Sequence, residues 1–426
     1  MIPLAGKTRT RRRSPGEGGA YSYKTGTGER WYWKATVTQP DGSVRQVARR
    51  GFETKKAAQD AMREALLASS RGGYAEPSKQ TTGAYLAGWL LSLRLAPATM
   101  ASYRKNVRLH ITPYIGEIPL ASLTSTRITR LYRELESGGR RDGRGELEGA
   151  GLSARTVRYV ATILHKALAE AVAAEPPLIP RNPAAKAKPP TAAEARPPEM
   201  HPWNAAQLSA FLGWSAREST LHAAWYVLAN TGMRRGELLD LQWRDFTPGV
   251  HAGTISIRRS VGVVRNAGEG AQVVSGPTKT GTSRVVDLDP ATVEILRAWK
   301  RERGALALSL ARDDALIFGD LEGGHLHPER FSRTWHSHLN RCRDELGADA
   351  PPVIRLHDLR HTHATLLLSA GEPVKTVQER LGHRSPTITM TVYAHALPGD
   401  QSRAASRFAA LLDQAQPGPR AAGESR

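Results

Sequence analysis

From Glu29 to Thr38 the chain reads ERWYWKATVT, and apolar and polar side chains alternate. Trp31, Trp33, Ala35 and Val37 fall on one face; Arg30, Tyr32, Lys34 and Thr36 fall on the other. A period of two marks a half-buried β-strand. Pro40, Asp41 and Gly42 supply turn chemistry, Ser43 to Arg49 returns as a partner strand, and Thr54 caps a helix running to about Ser69. The period then changes to that of a helix. Helices are expected over Ala84 to Leu93, Thr99 to Ile111, Thr126 to Glu136 and Ser153 to Ala174. In the last, Val157, Val160, Ile163, Leu164, Ala167 and Leu168 share one face behind an N-capping Ser153, and Pro176, Pro177 and Pro180 stop it. Between these helices Ser137 to Gly151 carries six glycines and is expected to be a flexible insertion.

The stretch 184–200, AAKAKPPTAAEARPPEM, has little to bury and is expected to be an extended linker, the clearest boundary in the chain. Residues 414–426 are expected to fray. Charge sharpens the picture. Sixty Lys and Arg stand against 40 Asp and Glu, a formal charge of +20, and residues 1–75 alone hold fifteen basic and six acidic side chains. An excess of that size points to nucleic acid as partner. A single cysteine, Cys342, excludes an intramolecular disulfide framework and suits a reducing cytosol. No apolar run is long enough to span a bilayer, and the basic N-terminus has no apolar stretch behind it, so a soluble cytoplasmic protein without membrane contact is expected.

The chemistry lies beyond the linker. In LANTGMRRGELLDLQWRD, Gly232 permits a turn, and a helix is expected from about Met233 with Leu238, Leu239 and Leu241 inward. Arg234 and Glu237 are three apart near its start, where backbone N–H groups and an Arg fork favour a phosphate; a surface ion pair is the bland alternative. SGPTKTGTSRVVDL reads as a β-hairpin with its turn near Lys279, Thr280 and Gly281, able to carry a lysine into a cleft. In IRLHDLRHTHATLLLSAG, His357 precedes a helix, Arg360 lies one turn in, and Gly371 closes it. PVKTVQERLGH is a helix with Pro373 at its first position and Gly382 as its C-terminal cap, so His383 emerges on a rigid corner. A further helix opens at Ser385 and Pro386 and brings Tyr393 to its end.

His357, Asp358, His361 and His363 invite a zinc reading, with histidines four apart. The glutamate of the metalloprotease pattern is missing and no third ligand stands at a convincing interval, so no metal and no cofactor are expected. Two Arg, a Lys, two His and a Tyr instead suit a phosphodiester. Tyr needs cationic neighbours to favour its phenolate, two guanidiniums can neutralise the non-bridging oxygens of a pentacoordinate phosphorus, and Lys279 can protonate the leaving 5′-oxygen. The basic positions Lys105, Arg108, Arg155 and Arg158 lie on amphipathic helices and are candidate DNA contacts, though such a stripe is usually only the wet face. Arg30, Tyr32 and Lys34 are candidate base readers on the exposed sheet face.

With these motifs in order, the chain resembles the tyrosine recombinases of the phage and integrative-element integrase type. TGMRRGELLDLQW resembles the family's first arginine box, which implies that Arg234 is catalytic and Glu237 supports it. GPTKTGTSR resembles the lysine hairpin, with Lys279 at the matching position. HDLRHTHAT places His357 and Arg360 in the active site, and LGHRSPTITMTVYAH supplies His383 and the nucleophile Tyr393. The segment from Thr99 with the later PRNPAA resembles the helical core-binding domain, and the first 75 residues resemble the arm-binding domain, a three-stranded sheet backed by a helix.

The resemblance implies a multidomain fold. A small α+β arm-binding domain (1–75) precedes an all-α core-binding domain (76–183). The linker (184–200) leads to a mainly α catalytic domain with a small β-sheet and hairpin (201–413), then to a flexible tail (414–426). It implies a metal- and ATP-independent strand transferase working as a homotetramer on double-stranded DNA. Core and arm attachment sites are its substrates, the DNA is gripped in a clamp, and an excisionase and a DNA-bending host protein are candidate accessory partners. A catalytically silent DNA-binding regulator would account for the charge but not for the full polar set. A type IB topoisomerase shares the chemistry but not the arm-like module.

Overall fold

The computed structural model describes residues 18–26, 28–38, 42–70, 80–141, 146, 148–196, 200–249, 252–265, 270–279, 281–385, 387 and 400–415. The chain divides into two compact units, Met1–Pro197 and Pro198–Arg426. Tyr393, Thr280 and the basic side chains of the first seventeen residues lie outside the described residues.

The first unit opens with an antiparallel sheet of β1 (Gly19–Thr25), β2 (Gly28–Thr38) and β3 (Val44–Phe52) in that order, backed by α1 (Lys55–Ser70). Trp33, Ala35, Val37 and Val47 are buried with Ala65, so the apolar side of the alternation faces the helix as expected. Thr54 Oγ1 accepts from the Ala57 N–H at 3.1 Å and starts α1. On the outer face Tyr32 pairs in register with Tyr21 and Arg50, and the Arg50 guanidinium lies 5.5 Å from the centroids of both Tyr23 and Tyr32. Arg30, on the same face, is tied to Glu53 at 3.0 Å.

A second core follows, built by α2 (Thr82–Ser92), α3 (Pro97–Asn106), α4 (Thr112–Ile115), α5 (Ser125–Gly138) and α6 (Ala154–Ala173). The interior face of α6 holds all six apolar positions of its sequence pattern, and Ser153 Oγ caps it through the Thr156 N–H. Tyr85 Oη donates to the Ala167 carbonyl at 2.6 Å, and Trp89 Nε1 donates to Glu170 at 2.7 Å. Between α3 and α4 the helix widens into one π-turn, Val107–Ile111, where Thr112 N–H reaches back to the Val107 carbonyl. Pro113 has no N–H to continue the regular ladder, which is the local reason for the bulge.

One expectation is corrected in this unit. The stretch from 184 onward does not run free. Ala184 is buried, Lys188 N–H donates to Thr129 Oγ1 at 3.1 Å, and Arg158 donates to the Pro190 carbonyl at 2.6 Å. The segment therefore lies on the helical core up to about residue 190, held by the packing of Ala184 and Ala187 and by the hydrogen bonds at Lys188 and Pro190. The glycine-rich insertion is likewise tied at its base: Arg140 and Glu148 pair through backbone and side chains, and Leu152 N–H donates to the Leu135 carbonyl.

The second unit places α7 (Ala205–Glu218), α8 (His222–Thr231) and the single turn α9 (Arg235–Leu238) before the strands. These are β4 (Phe246–Pro248), β5 (Gly253–Ile257), β6 (Arg259–Arg265), β7 (Ala271–Pro277) and β8 (Arg284–Leu288). Helices α10 (Pro290–Leu306), α11 (Pro328–Leu346), α12 (Asp358–Ser369), α13 (Val374–Leu381) and α14 (Asp400–Ala415) follow. The expected β7–β8 hairpin is not formed. β6 and β7 make a two-stranded ribbon, and β8 joins a separate sheet of order β4–β5–β8. An aromatic cluster centred on Trp335 fills the core, with Phe211, Trp225 and Trp203 rings at 4.8, 5.4 and 5.8 Å. Its indoles also position the chain: Trp203 and Trp335 donate to the Pro352 and Ile354 carbonyls, pinning the segment that leads to His357.

Candidate active site

Helix α8 ends at Gly232, whose φ of +61° is the left-handed conformation that glycine adopts without strain. A side chain there would also strike the His363 ring, since a Cβ would stand 2.7 Å from its Cδ2. The turn delivers Arg234 to the start of α9. That helix is one turn long instead of the longer helix its leucines suggest, because the chain turns into a short 3-10 segment at Trp243.

Glu237 is the electrostatic centre. Its carboxylate is buried and accepts from Arg234 N–H and Nη1, both at 2.8 Å, and from Arg284 Nη1 and Nη2 at 3.1 and 2.6 Å. Burial pushes its pKa up, but the hydrogen bonds and charges of Arg284, then Arg234, outweigh that and bring it down to about 2. Arg284 opens β8, and its Nε donates to the Arg380 carbonyl at 2.9 Å on α13. One guanidinium therefore ties β8, α9 and α13 together. Its position lies inside the GPTKTGTSR motif, yet the sequence offers no local sign of its role.

Arg360 is 3% exposed on α12 and donates to the Gly232 and Leu381 carbonyls at 2.7 and 2.6 Å. Arg234 Nη2 approaches the next carbonyl, Gly382, at 3.5 Å. Both predicted arginines thus close on the turn after α13. Pro373 sits at the N-cap of that helix, one position before its expected place, and Gly382 is the expected left-handed cap at φ +66°. The cap sets His383, whose N–H donates to Gln378 and whose carbonyl accepts from the Gln378 side chain.

His357 occupies the N-cap position of α12 and meets His361 edge-on, ring centroids 5.3 Å apart. Burial, then His361 and Arg360, lower the His357 pKa to about 4; burial, then Arg360 and Arg234, lower that of His383 to about 4. These neighbours place Arg234, Arg360, His357, His361 and His383 in one field. The four residues of the zinc reading set aside above do not converge. Asp358 is held by Arg355 at 2.8 Å, and His363 turns away, bonding the Ala229 carbonyl at 2.9 Å while Arg380 donates to its other nitrogen. Among the described residues no three His, Cys, Asp or Glu side chains gather as a metal site.

Lys279 stands exposed on the turn between β7 and β8, outside the buried arginine cluster. Tyr393 falls among the residues not described. Of the predicted DNA contacts in the helical core, Lys105 and Arg155 line one cavity, Arg108 is exposed, and Arg158 is engaged with Pro190. His361, Arg284 and the His363–Arg380 pair are the site residues that sequence reasoning left without a role.

Comparison with known proteins gives three family matches: "Phage integrase family" over residues 201–399, "Arm DNA-binding domain" over 21–68, and "Phage integrase, N-terminal SAM-like domain" over 83–135. The ICEBs1 integrase of Bacillus subtilis is 29% identical over 338 residues, 76% of this chain and 82% of that one. A tyrosine recombinase XerC-like protein of Caldanaerobacter subterraneus is 24% identical over 393 residues, 88% of this chain and 94% of that one. Among solved structures, the Tn1549 transposon integrase in complex with a circular intermediate DNA superposes with a TM-score of 0.61 at 20% identity, over 78% of this chain and 99% of that one.

Proposed function

The chain belongs to the phage integrase family of tyrosine recombinases, and from that premise we propose that it cuts and rejoins specific DNA sites to integrate a mobile element, excision being the reverse of the same chemistry. The observation that carries the reading is the convergence of Arg234 and Arg360 on the turn that presents His383, with His357 in the same field.

In the proposed reaction Tyr393 Oη attacks the scissile phosphorus. Its proton passes to His357, which burial and cationic neighbours keep neutral and so able to accept. Arg234 and Arg360 stabilise the charge on the non-bridging oxygens; both are anchored before substrate arrives, so little reorganisation remains for the transition state. The P–O5′ bond breaks and the 5′-oxygen leaves with a proton from Lys279. A 3′-phosphotyrosine and a free 5′-hydroxyl result. The 5′-hydroxyl of the partner duplex then attacks that phosphotyrosine, its proton returns to Lys279, the P–O bond to Tyr393 breaks, and Tyr393 departs as the phenol with the proton that His357 had taken up. One phosphodiester is exchanged for another, so no ATP is consumed.

The arm-like sheet, with Tyr21, Tyr23, Tyr32 and Arg50 on its outer face, is read as the module for outlying attachment sites. The assembly proposed is a homotetramer on two duplexes; Phe408, Leu411 and Leu412, exposed on α14, suit a contact with a neighbouring copy. An excisionase and a DNA-bending host protein remain the candidate accessory partners. The decisive test is Tyr393→Phe on a nicked suicide substrate. The variant should bind DNA and form no covalent adduct; an adduct at the wild-type level would remove Tyr393 from the mechanism.

A further inference from the structure

The helical core carries a cavity of about 680 Å³ that the reaction above does not use. Three elements surround it: α3 with Lys105, the first turn of α6 with Arg155, and the base of the glycine-rich insertion with Arg140, Arg141 and Glu148. Four cations and one carboxylate line it, and the carboxylate is already engaged, since Glu148 pairs with Arg140 at 2.7 Å. The Arg141 guanidinium lies 5.5 Å from the Tyr114 ring centroid, which steadies its fork. The wall also includes His110, carried on the π-turn. His110 is only 4% exposed, and its Nδ1 has no hydrogen-bond partner among the described residues. A buried imidazole nitrogen without a partner costs free energy unless a ligand supplies one.

We propose that this cavity is a socket for one backbone phosphate of the bound DNA, completed by the insertion's two arginines and by His110. The proposal rests on the recombinase reading for its ligand. A phosphate with its flanking sugars fits the volume, and its oxygens match Arg forks, a lysine and the N-terminal end of a 20-residue helix. An apolar ligand would strand the four cations. His110 adds a proton linkage. Burial first, then Lys105 and Arg141, hold its pKa below the ordinary value, against a backbone hydrogen bond with Gly139 that raises it. Arg140 and Arg155 add to that positive field, Glu148 is offset by its pairing, and Tyr159 from α6 completes the titratable groups of the wall. A phosphate in the socket reverses the balance, so binding takes up a proton and affinity rises as pH falls through the interval between the free and bound pKa values.

The test uses the full chain and a core-site duplex without arm sites, with methylphosphonate replacing one phosphate at a time. One position should weaken wild-type binding roughly tenfold to a hundredfold, the size of a lost charge-assisted contact, and should cost Arg141→Ala little more. Between about pH 6 and 8 the wild type should lose affinity and His110→Asn should lose less, because the amide donates at either pH. Additive penalties at every phosphate, or unchanged binding by both Arg140→Ala and Arg141→Ala, would overturn the socket. Those two variants lie on the insertion's base and carry the test alone if His110→Asn does not fold. Saturation by inorganic phosphate with no coupled DNA position would assign the cavity to a free anion and would also overturn it. Adduct formation by Tyr393 without a coupled phosphate sinks the socket alone; a coupled phosphate without any adduct sinks the recombinase reading and leaves the socket.

Discussion

Replacing Arg284 by alanine removes two of the four hydrogen bonds that hold the buried Glu237 carboxylate, together with the link to the Arg380 carbonyl. The carboxylate's pKa of about 2, against an ordinary 4.5, corresponds to roughly 3 kcal/mol of folding stability at neutral pH. The sign follows from the direction: the contribution is complete above about pH 4.5 and is lost as pH falls toward 2. Arg284 supplies the larger part of the stabilising charge, and breaking a buried pair by removing one partner typically costs about 3–5 kcal/mol. Arg284→Ala should therefore lower the stability of the catalytic unit by about 3 kcal/mol in urea unfolding at neutral pH, and the loss should shrink as pH falls below 4.5. Arg284→Lys should not restore it, since an ammonium cannot give a planar fork to the carboxylate and a third donor to α13. In the double variant with Glu237→Gln the two losses should fall short of additive by more than about 1 kcal/mol. Cleavage should drop on the order of 100-fold through misplacement of Arg234, with binding of core DNA less affected. A variant within about 0.5 kcal/mol of wild type, or strict additivity in the cycle, would refute the idea that this carboxylate holds the site together.

Other outcomes are expected from the same structure. Gly232→Ala should destabilise the fold by more than about 1 kcal/mol, because left-handed backbone and the His363 contact act together; a change in Tm below the resolution of calorimetry would contradict this. In an NMR titration His357 and His383 should stay neutral well below the ordinary histidine range, with midpoints near 4, so their burial costs stability as pH drops from about 6.5; midpoints near 6.5 would remove them from the cationic pocket. Cleavage should persist in excess EDTA, and loss that zinc or magnesium restores would revive a metal role for His357 and His361. A fragment beginning near Pro77 should keep Tyr393-dependent cleavage of a core site while showing a shallower salt dependence on full-length attachment DNA; identical footprints and slopes would refute arm binding by residues 1–75.

Local patterns were legible where local physics decides. The β2 alternation, the Ser153 and Thr54 caps and the Gly232 and Gly382 turns follow from side chains within a few residues. The arginine and histidine boxes stood out in the sequence through their combination of residue types and their order along the chain. The failures share one cause. Whether β8 pairs with β7 or with β5 depends on a partner thirty residues away, and the alternation of Val286 and Leu288 suits either. Arg284 looks like any strand-initiating arginine until Glu237 and Arg380 are brought to it. Most apolar side chains of the 184–200 stretch are only alanines and prolines, and a composition argument does not see that Ala184 packs or that Arg158 can hold the chain by a carbonyl.

The division of the strands between two sheets gives the parts of the proposed chemistry separate ladders but one common support, α9. The Arg234–Glu237–Arg284 cluster is bolted to β8 and to the helices, whereas the turn bearing Lys279 enters from the ribbon β6–β7, which shares no ladder with β8. The ribbon nevertheless packs on α9, where the Val261 carbonyl of β6 leaves no room for a side chain at Gly236, and Ser275 of β7 donates to Asp240, just past that turn, at 2.6 Å. A displacement of the ribbon that moved the proposed proton donor would therefore be felt through α9 at the proposed phosphate-binding Arg234.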